Sequence, residues 1–161
     1  MGLATTESVT VPAPPSAVFP IVAALDGYER WLGLVHEATP EPTPERIGDA
    51  DRAVDEPAWS VELRARVGPF ARSKRLRMVR RAHEPDRLVE FERSELDGKQ
   101  HARWALRVEV EPAGVGSAIV TMHLTYDGAL WTGGLLDRVL EDEIRRGRTG
   151  LAELVSGEPR R

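Results

Sequence analysis

Between residues 59 and 126 the sequence alternates apolar with polar side chains in five consecutive runs. Successive side chains of a β-strand point to opposite sides of its sheet, so this period of two predicts strands with one buried face. The runs cover residues 59–67, 72–81, 88–94, 102–110 and 118–126. Short turn sequences, such as Asp97-Gly98, separate them and predict an antiparallel meander.

The end of the chain has a different period. From Gly133 to about Val155 apolar residues recur at steps of three, four and seven, and most other positions are charged. This spacing predicts a long helix with one buried stripe, formed by Leu136, Leu140, Ile144, Leu151 and Leu154. Gly147 lies on the stripe, where alanine would favour the helix by about 1 kcal/mol. The glycine therefore indicates close packing against a strand, or space left for another group.

The N-terminal part adds one strand and two short helices. Thr6 to Val11 is a strand candidate, and Ser16 is a candidate cap for a helix with an apolar face. Pro20 falls inside that helix and removes a main-chain hydrogen bond, which predicts a short or bent helix. A second brief helix is expected over residues 28–32, followed by a strand over residues 34–39.

Residues 40–57 hold four prolines and an excess of acidic side chains. This composition predicts a long loop, with a short strand near residues 46–49. A loop of this length in a compact domain is either mobile or functional. Whether it gates an internal cavity is left open by the sequence.

Together these elements predict one α+β domain over residues 1–161. It consists of a curved antiparallel sheet of about six to seven strands around the long C-terminal helix, with two short helices after the first strand. A strongly twisted sheet that grips one helix often does not close its interior fully, so an apolar cavity is expected. At 161 residues such a chain buries roughly 70% of its unfolded surface in one core.

Composition excludes several classes of function. The formal charge is -4, with 26 acidic and 22 basic side chains, so nothing demands nucleic acid or an anionic membrane as partner. The chain has no cysteine, which excludes disulfides, thiol chemistry and cysteine-based metal sites. No apolar run approaches a membrane span and the start lacks the pattern of a signal peptide, so a cytoplasmic location and no stable membrane insertion are expected.

Two stretches resemble a known superfamily. The N-terminal residues Ala13-Pro14-Pro15-Ser16-Ala17-Val18-Phe19 and Leu25 to Leu32 resemble the opening of SRPBCC proteins, and the close from Trp131 to Leu151 is similar to their final helix. This helix-grip group includes START lipid-transfer domains, pollen-allergen-like proteins and bacterial polyketide cyclase/dehydrase-like proteins. The resemblance implies binding, transfer or occasional cyclisation of hydrophobic small molecules. The tryptophan-rich motif of aromatic polyketide aromatase/cyclases is absent.

A basic run from Arg64 to Arg81 contains eight arginine or lysine residues and no acid. Nucleic-acid binding is one interpretation. However, alternation puts four of these cations on the outer face of the sheet, namely Arg64, Arg66, Arg75 and Arg77. Glu90 and Glu92 lie on the outer face of the next strand. Cross-strand ion pairs, each worth about 0.2–1 kcal/mol, explain the run without a nucleic acid.

Three cations differ from the others in the face of the sheet on which alternation places them. Two belong to that run and the third lies in the following strand. Alternation puts Lys74 and Arg80 in the same row as Leu76 and Met78, and Arg93 in the row of the apolar residues of its own strand. An inward cation near the mouth of a cavity is suited to bind a ligand carboxylate or phenolate, because a buried unpaired charge is costly. The alternative is that these side chains extend to water at splayed strand ends.

The sequence offers few parts for catalysis or for metal binding. The four histidines, His36, His83, His101 and His123, show no metal-ligand spacing, so structural or solvated roles are expected, with no metal and no cofactor. No nucleophile elbow, phosphate loop or dinucleotide motif occurs. The candidate catalytic residues are Arg80, Tyr126 and Glu143.

The candidate ligand contacts share an inward position in the predicted elements, and many are aromatic. For any single one of them, ordinary core packing is the alternative. The set comprises Tyr28, Trp31, Trp59, Leu63, Phe70, Met78, Phe91, Trp104, Met122, Tyr126, Trp131, Leu136, Leu140 and Gly147.

Three functions remain open at this point. The first is binding, with possible transport, of a hydrophobic small molecule in an internal cavity. The second is a cyclase or dehydratase of the same fold, which requires an inward acid–base pair. The third is a protein-interaction module without a ligand, which an absent cavity or a large exposed apolar patch would favour. The oligomeric state is left open.

Overall fold

A seven-stranded antiparallel sheet curls around the C-terminal helix of this protein. The computed structural model describes residues 3–41, 57–67, 69–127 and 135–156. The elements are β1 (Leu3–Val11), α1 (Pro15–Val22), a 3₁₀ turn (Tyr28–Arg30), β2 (Val35–Pro40), β3 (Ala58–Val67), β4 (Phe70–Glu84), β5 (Leu88–Arg93), β6 (Arg103–Pro112), β7 (Ala118–Asp127) and α2 (Leu135–Ser156).

The strand order is β1-β7-β6-β5-β4-β3-β2, with every neighbouring pair antiparallel. Strands β2 to β7 therefore form the predicted meander, and β1 returns to pair with β7. The alternation of the sequence reappears as burial, for example in β7, where Val120, Met122 and Leu124 are buried and the residues between them are half-buried. The α+β helix-grip fold predicted from the sequence is confirmed.

Helix α2 lies in the concave side of the sheet and is fixed at two places. Arg145 and Arg148 reach Glu7 of β1, at 3.6 and 3.5 Å. On the other side, two glycines bring the helix against the segment that follows the 3₁₀ turn. A Cβ at Gly147 would lie 2.6 Å from Cδ1 of Leu32, and one at Gly150 would overlap the main-chain carbonyl of Trp31. The close packing predicted at Gly147 is present, but against this segment and not against a strand.

Element boundaries differ from the sequence-based prediction at several places, and three of these differences have structural interest. Helix α1 begins at Pro15 with Pro14 as its cap, so Ser16 makes no capping hydrogen bond. Proline at the first helical position has a suitable φ and no N–H to satisfy, which explains this start. The second helix is only the 3₁₀ turn. Strand β4 already begins at Phe70, two residues earlier than expected, and continues to Glu84.

The partners of the outward arginines in β4 also differ. The predicted pairing with the glutamates of β5 is wrong for Arg75 and Arg77. Arg75 lies 3.9 Å from Glu62 of β3, and Arg77 donates to Glu41 at 2.9 Å. The reason is that the β4–β5 ladder ends at Met78, so the first half of β4 extends past β5.

Several predictions fall on parts of the chain that the structure does not describe. The short strand near residues 46–49, the gating question for residues 40–57 and the position of Trp131 lie there. The side chains of Phe70, Leu136 and Leu140 are likewise outside the description. Among the described helices, none is both long and apolar enough to cross a bilayer.

Candidate functional site

An apolar cavity of about 40 Å³ lies inside the grip, between the concave face of the sheet, the 3₁₀ turn and α2. The described residues around it are all apolar or aromatic, and they present no polar surface to its interior. They are Leu25, Tyr28, Leu32, Leu34, Val35, Val61, Leu63, Leu76, Met78, Trp104, Leu106, Leu124 and Ile144.

The inner rows of four strands build most of this wall. Strands β3 and β4 pair Val61 with Leu76, and Leu63 with Lys74. Strands β6 and β7 pair Leu106 with Leu124. Because every second residue of a strand faces the same side, these rows present mainly apolar side chains to α2, with Lys74 as an exception in β4. The helix then contributes a fully buried isoleucine from its stripe, residue 144.

Tyr28 closes the cavity from the 3₁₀ turn. Its hydroxyl donates to the carbonyl of Val22 at 2.7 Å, and its ring lies 4.5 Å from that of Trp31. Complete burial raises the pKa of Tyr28 far above its ordinary value of 10.0, because the charged phenolate loses its hydration. The hydroxyl is therefore neutral and already engaged, and the ring is the part that a ligand can contact.

Trp104 is the one cavity-lining residue with an unused hydrogen-bond donor among those described. Its side chain is buried at 6% exposure, and its ring lies 4.5 Å from that of Tyr126. The indole Nε1 is buried and has no acceptor. A buried donor without a partner costs about 1–3 kcal/mol, so such groups are rare in folded proteins. Trp31 has a second such Nε1, but it does not line the described cavity.

Lys74 lies beside the cavity on the inward row of β4. It is opposite Leu63 and two positions before Leu76, both of which line the wall. Within the described part of the chain its ammonium has no ion pair and no hydrogen bond. Partial burial lowers the pKa of Lys74, the nearby charge of Arg93 lowers it further, and the carboxylate of Glu95 acts in the opposite direction.

Arg93 is a well-buried inward cation, with 7% of its side chain exposed. The Nε group donates to Glu95 at 2.9 Å and one terminal nitrogen donates to the carbonyl of Ala102 at 3.3 Å. The other terminal nitrogen lies 3.2 Å from Nδ1 of His101, whose Nε2 lies 2.8 Å from Asp97. All three nitrogens of the Arg93 guanidinium therefore have an acceptor in the protein, and the side chain does not extend to water.

Arg80 is also satisfied within the protein, but at a different place. It donates to the carbonyl of Ala23 at 2.8 Å, and its guanidinium lies 5.9 Å from the centre of the Trp59 ring. The same indole donates to Asp26 at 2.7 Å. Burial lowers the pKa of Arg80. These contacts join the end of α1 to the sheet, and they explain the inward cation without a ligand.

Neither Arg80 nor the two other candidate catalytic residues line the cavity as described. Glu143 is half-buried beside Gly33 and lies 3.7 Å from Arg146 of its own helix. Tyr126 packs on Trp104 from the inner row of β7. The described lining thus holds no acid–base pair.

The structure places four of the candidate ligand contacts in the cavity wall, namely Tyr28, Leu63, Met78 and Trp104. Six others pack in the core or against it without lining the described cavity, namely Trp31, Trp59, Phe91, Met122, Tyr126 and Gly147. For the remaining four, Phe70, Trp131, Leu136 and Leu140, the relevant side chains lie outside the description.

Sequence reasoning missed most of the aliphatic wall because it favoured aromatic residues. Val61, Leu76, Leu106 and Leu124 belong to inner rows that the alternation identifies, so the signal was present. The contribution of the segment from Leu32 to Val35 had no such signal, because it depends on how the chain leaves the 3₁₀ turn.

The histidines take structural positions. His83 packs on Phe19, with ring centres 5.4 Å apart, and His123 lies 3.0 Å from the hydroxyl of Thr6 on the outer face. In the ranges that the structure describes, no group of three or more histidine, aspartate or glutamate residues is arranged to hold a metal ion.

Solved structures with the same fold include several proteins of low sequence identity. A START superfamily protein from Mycobacterium smegmatis is 12% identical, with 96% of this chain and 97% of that chain covered and a TM-score of 0.69. A protein from Thermus thermophilus is 17% identical, with 98% of this chain and 99% of that chain covered and a TM-score of 0.70. The Zhui aromatase/cyclase from a Streptomyces species is 12% identical, with 97% of this chain and 94% of that chain covered and a TM-score of 0.67. At these identities the likeness shows the fold alone.

A comparison with curated proteins finds no match. The sequence model of the family described as polyketide cyclase/dehydrase and lipid transport matches residues 3–156. The SRPBCC resemblance noted in the sequence is thereby confirmed. The chain belongs to the polyketide cyclase/dehydrase and lipid transport family.

Proposed function

We propose that this protein binds a hydrophobic small molecule in the cavity between the sheet and α2. The observation that carries the proposal is the wholly apolar lining of that cavity. Protein cores normally pack with few voids larger than a water molecule. At about 24 cal/mol per Å³, an empty apolar cavity of about 40 Å³ costs about 1 kcal/mol. An apolar ligand that fills the space would recover this energy.

A ligand of ordinary size requires the cavity to widen. Sites for such molecules measure about 300–1,000 Å³, well above the space described here. Met78 in the wall is suited to this change, because methionine is unbranched and adapts to irregular spaces. We therefore expect binding to move wall side chains, and we expect the apolar area buried on the ligand to provide most of the affinity.

Catalysis of a cyclisation or dehydration is less well supported than binding. Such chemistry requires an acid and a base within hydrogen-bond reach of the substrate. None of the three candidates, Arg80, Tyr126 and Glu143, lines the described cavity. The name of the family covers cyclases and lipid transport alike, so family membership does not decide between them. The apolar lining favours binding and transport.

A protein-interaction module without a ligand is the least supported function. Such a module would be favoured by an absent cavity or a large exposed apolar patch. The cavity is present, and the large hydrophobic side chains most exposed in the described chain, Leu96 and Val115, lie in separate turns. We further propose that residues 1–161 act as one ligand-binding domain, since the family match covers residues 3–156.

The experiment that tests the proposal is native mass spectrometry of the gently purified protein, followed by solvent extraction of anything bound. A panel of hydrophobic compounds is screened in parallel by thermal shift. At a concentration 100 times its Kd, a ligand stabilises the folded state by about 2.7 kcal/mol. We expect a released apolar compound, or a rise in Tm with at least one compound of the panel.

A pair of variants localises the effect. Leu63→Phe adds bulk at the cavity wall and is expected to abolish the thermal shift. Ile119→Phe makes the same kind of change at a half-buried position of β7 outside the described lining, and is expected to retain it. If no compound binds the wild-type protein, or if both variants respond like it, the proposed site is wrong.

A further inference from the structure

Two polar hydrogen-bond donors lie beside the apolar cavity, and neither presents polar surface to its described interior. One is the indole Nε1 of Trp104, which is buried in the wall and has no acceptor. The other is the ammonium of Lys74, whose neighbours Leu63 and Leu76 line the same wall. The buried indole N–H costs free energy because its partner is missing, and Lys74 is half-buried without an acceptor in the described chain.

The neighbouring charges do not supply the missing partner of Lys74. Glu95 is an acid whose charge influences it, but one oxygen of that carboxylate already accepts from the Nε group of Arg93 at 2.9 Å and from the main-chain N–H of Arg77 at 3.0 Å. Arg93 repels the ammonium. The charges that influence Lys74 thus belong to a partly engaged acid and a second cation.

Comparison with the other inward cations shows that this state is particular to Lys74. Arg80 donates to Ala23 and lies over an indole ring, and Arg93 has three protein acceptors. Of the three inward cations whose side chains the structure describes, only Lys74 has no protein acceptor. Its charge is therefore available to a molecule that reaches from the cavity to the inward row of β4.

We infer that the ligand carries an anionic oxygen group, a carboxylate or a phenolate, which Lys74 and the indole N–H of Trp104 bind at the edge of the apolar cavity. The inference rests on the proposed function, since it names the class of molecule that the same cavity takes. The apolar body of the ligand lies against Leu76 and its neighbours, and the anionic group lies towards β4. A fatty-acid chain and an aromatic acid both have this chemistry.

Matched pairs of ligands test the inference and separate the two sources. One pair is dodecanoic acid and dodecan-1-ol, and the other is 2-naphthoic acid and 2-naphthalenemethanol. Each alcohol keeps the apolar body of its acid and removes the charge. Kd values are measured by calorimetry at neutral pH. We expect an acid to bind about tenfold more tightly than its alcohol in at least one pair, which is the effect of one charge-assisted hydrogen bond.

Variants assign the preference to residues. Lys74→Met keeps the approximate length of the side chain and removes its charge. We expect the acid and the alcohol of the pair that binds to have equal Kd values in this variant. Lys74→Arg restores part of the difference. Trp104→Phe keeps an aromatic ring but removes the N–H, and is expected to weaken binding of the acid severalfold. Lys99→Met removes the same charge from an exposed site on the β5–β6 connection, and it is expected to leave the preference unchanged.

The outcomes separate this inference from the proposed function. Equal binding of acid and alcohol by the wild-type protein overturns the inference and leaves hydrophobic binding in place. A preference for the acid that persists in Lys74→Met overturns the role of Lys74. If neither member of either pair binds while another compound of the hydrophobic panel does, the inference fails and the proposed function stands; if no compound of the panel binds, both fail.

Discussion

Gly150 of α2 packs directly on the main-chain carbonyl of Trp31, so closely that a methyl group in place of its hydrogen would overlap that oxygen. The contact joins the long helix to the segment between the 3₁₀ turn and β2. That segment supplies one side of the cavity. The packing of α2 against this side of the cavity therefore depends on a glycine inside a helix, where the residue is otherwise unfavourable.

Gly150→Ala is expected to destabilise the protein. In an isolated helix the change stabilises by about 1 kcal/mol, but overpacking a rigid contact costs about 1–3 kcal/mol. The clash is with main chain, which cannot rotate away, so we expect a net loss of up to about 2 kcal/mol in urea denaturation. Thr149→Ala, at an exposed position of the same helix, is the control and should not destabilise. A Gly150→Ala protein more stable than wild type would contradict the packing.

Tyr28→Phe separates the two roles of that side chain. Loss of the hydroxyl leaves the buried carbonyl of Val22 without this donor, so the free energy of unfolding should fall by about 1–2 kcal/mol. The ring remains in the cavity wall, so the affinity for an apolar ligand should change little. Tyr28→Leu removes the ring as well, so it should lower both the free energy of unfolding and the affinity for an apolar ligand. Unchanged stability of Tyr28→Phe in denaturant titrations would show that the hydrogen bond contributes nothing.

Ile144→Ala enlarges the cavity from the helix side. The isoleucine is fully buried in the wall, and truncation of such a residue typically costs about 2–5 kcal/mol. Because the lost volume joins the binding space, the affinity for a bulky apolar ligand should rise relative to that for a small one. Calorimetry with two compounds of different size measures this ratio. A loss of stability without any change in the ratio would place the ligand elsewhere.

The preference for an anionic ligand should depend on pH in a defined direction. The attraction requires an ionised ligand and a protonated Lys74, so it is present above the pKa of the ligand acid and is lost as pH rises through the pKa of the lysine. In the free protein burial and Arg93 lower the pKa of Lys74 below its ordinary 10.5. Bound carboxylate raises it again. The acid-to-alcohol affinity ratio, measured across the alkaline range, should therefore fall at high pH in wild type and stay flat in Lys74→Met.

Much of this arrangement was predictable from the sequence. Alternation identified the inner rows of β3, β4, β6 and β7, and with them Leu63, Met78 and Trp104 of the wall. The helical period identified the stripe of α2 that includes Ile144. These signals are local, because the side-chain direction in a strand or helix follows directly from position in the period.

Other parts of the site depend on contacts between distant segments. Nothing in the sequence ranks Lys74 above Arg80, because both are inward in the same strand. Their difference arises because Arg80 meets the carbonyl of Ala23 at the end of α1, whereas the first half of β4 extends past β5. The unpartnered indole of Trp104 likewise follows from what surrounds it in space.

The most direct test of ligand binding in this cavity is the NMR signal of the Trp104 indole N–H during titration with dodecanoic acid and with 2-naphthoic acid. Trp104→Phe assigns the signal by its disappearance. We expect it to shift downfield as the donor gains an acceptor, while the indole of Trp59, already bonded to Asp26 at 2.7 Å, moves little. A Trp104 signal that stays fixed while either compound binds would contradict the account.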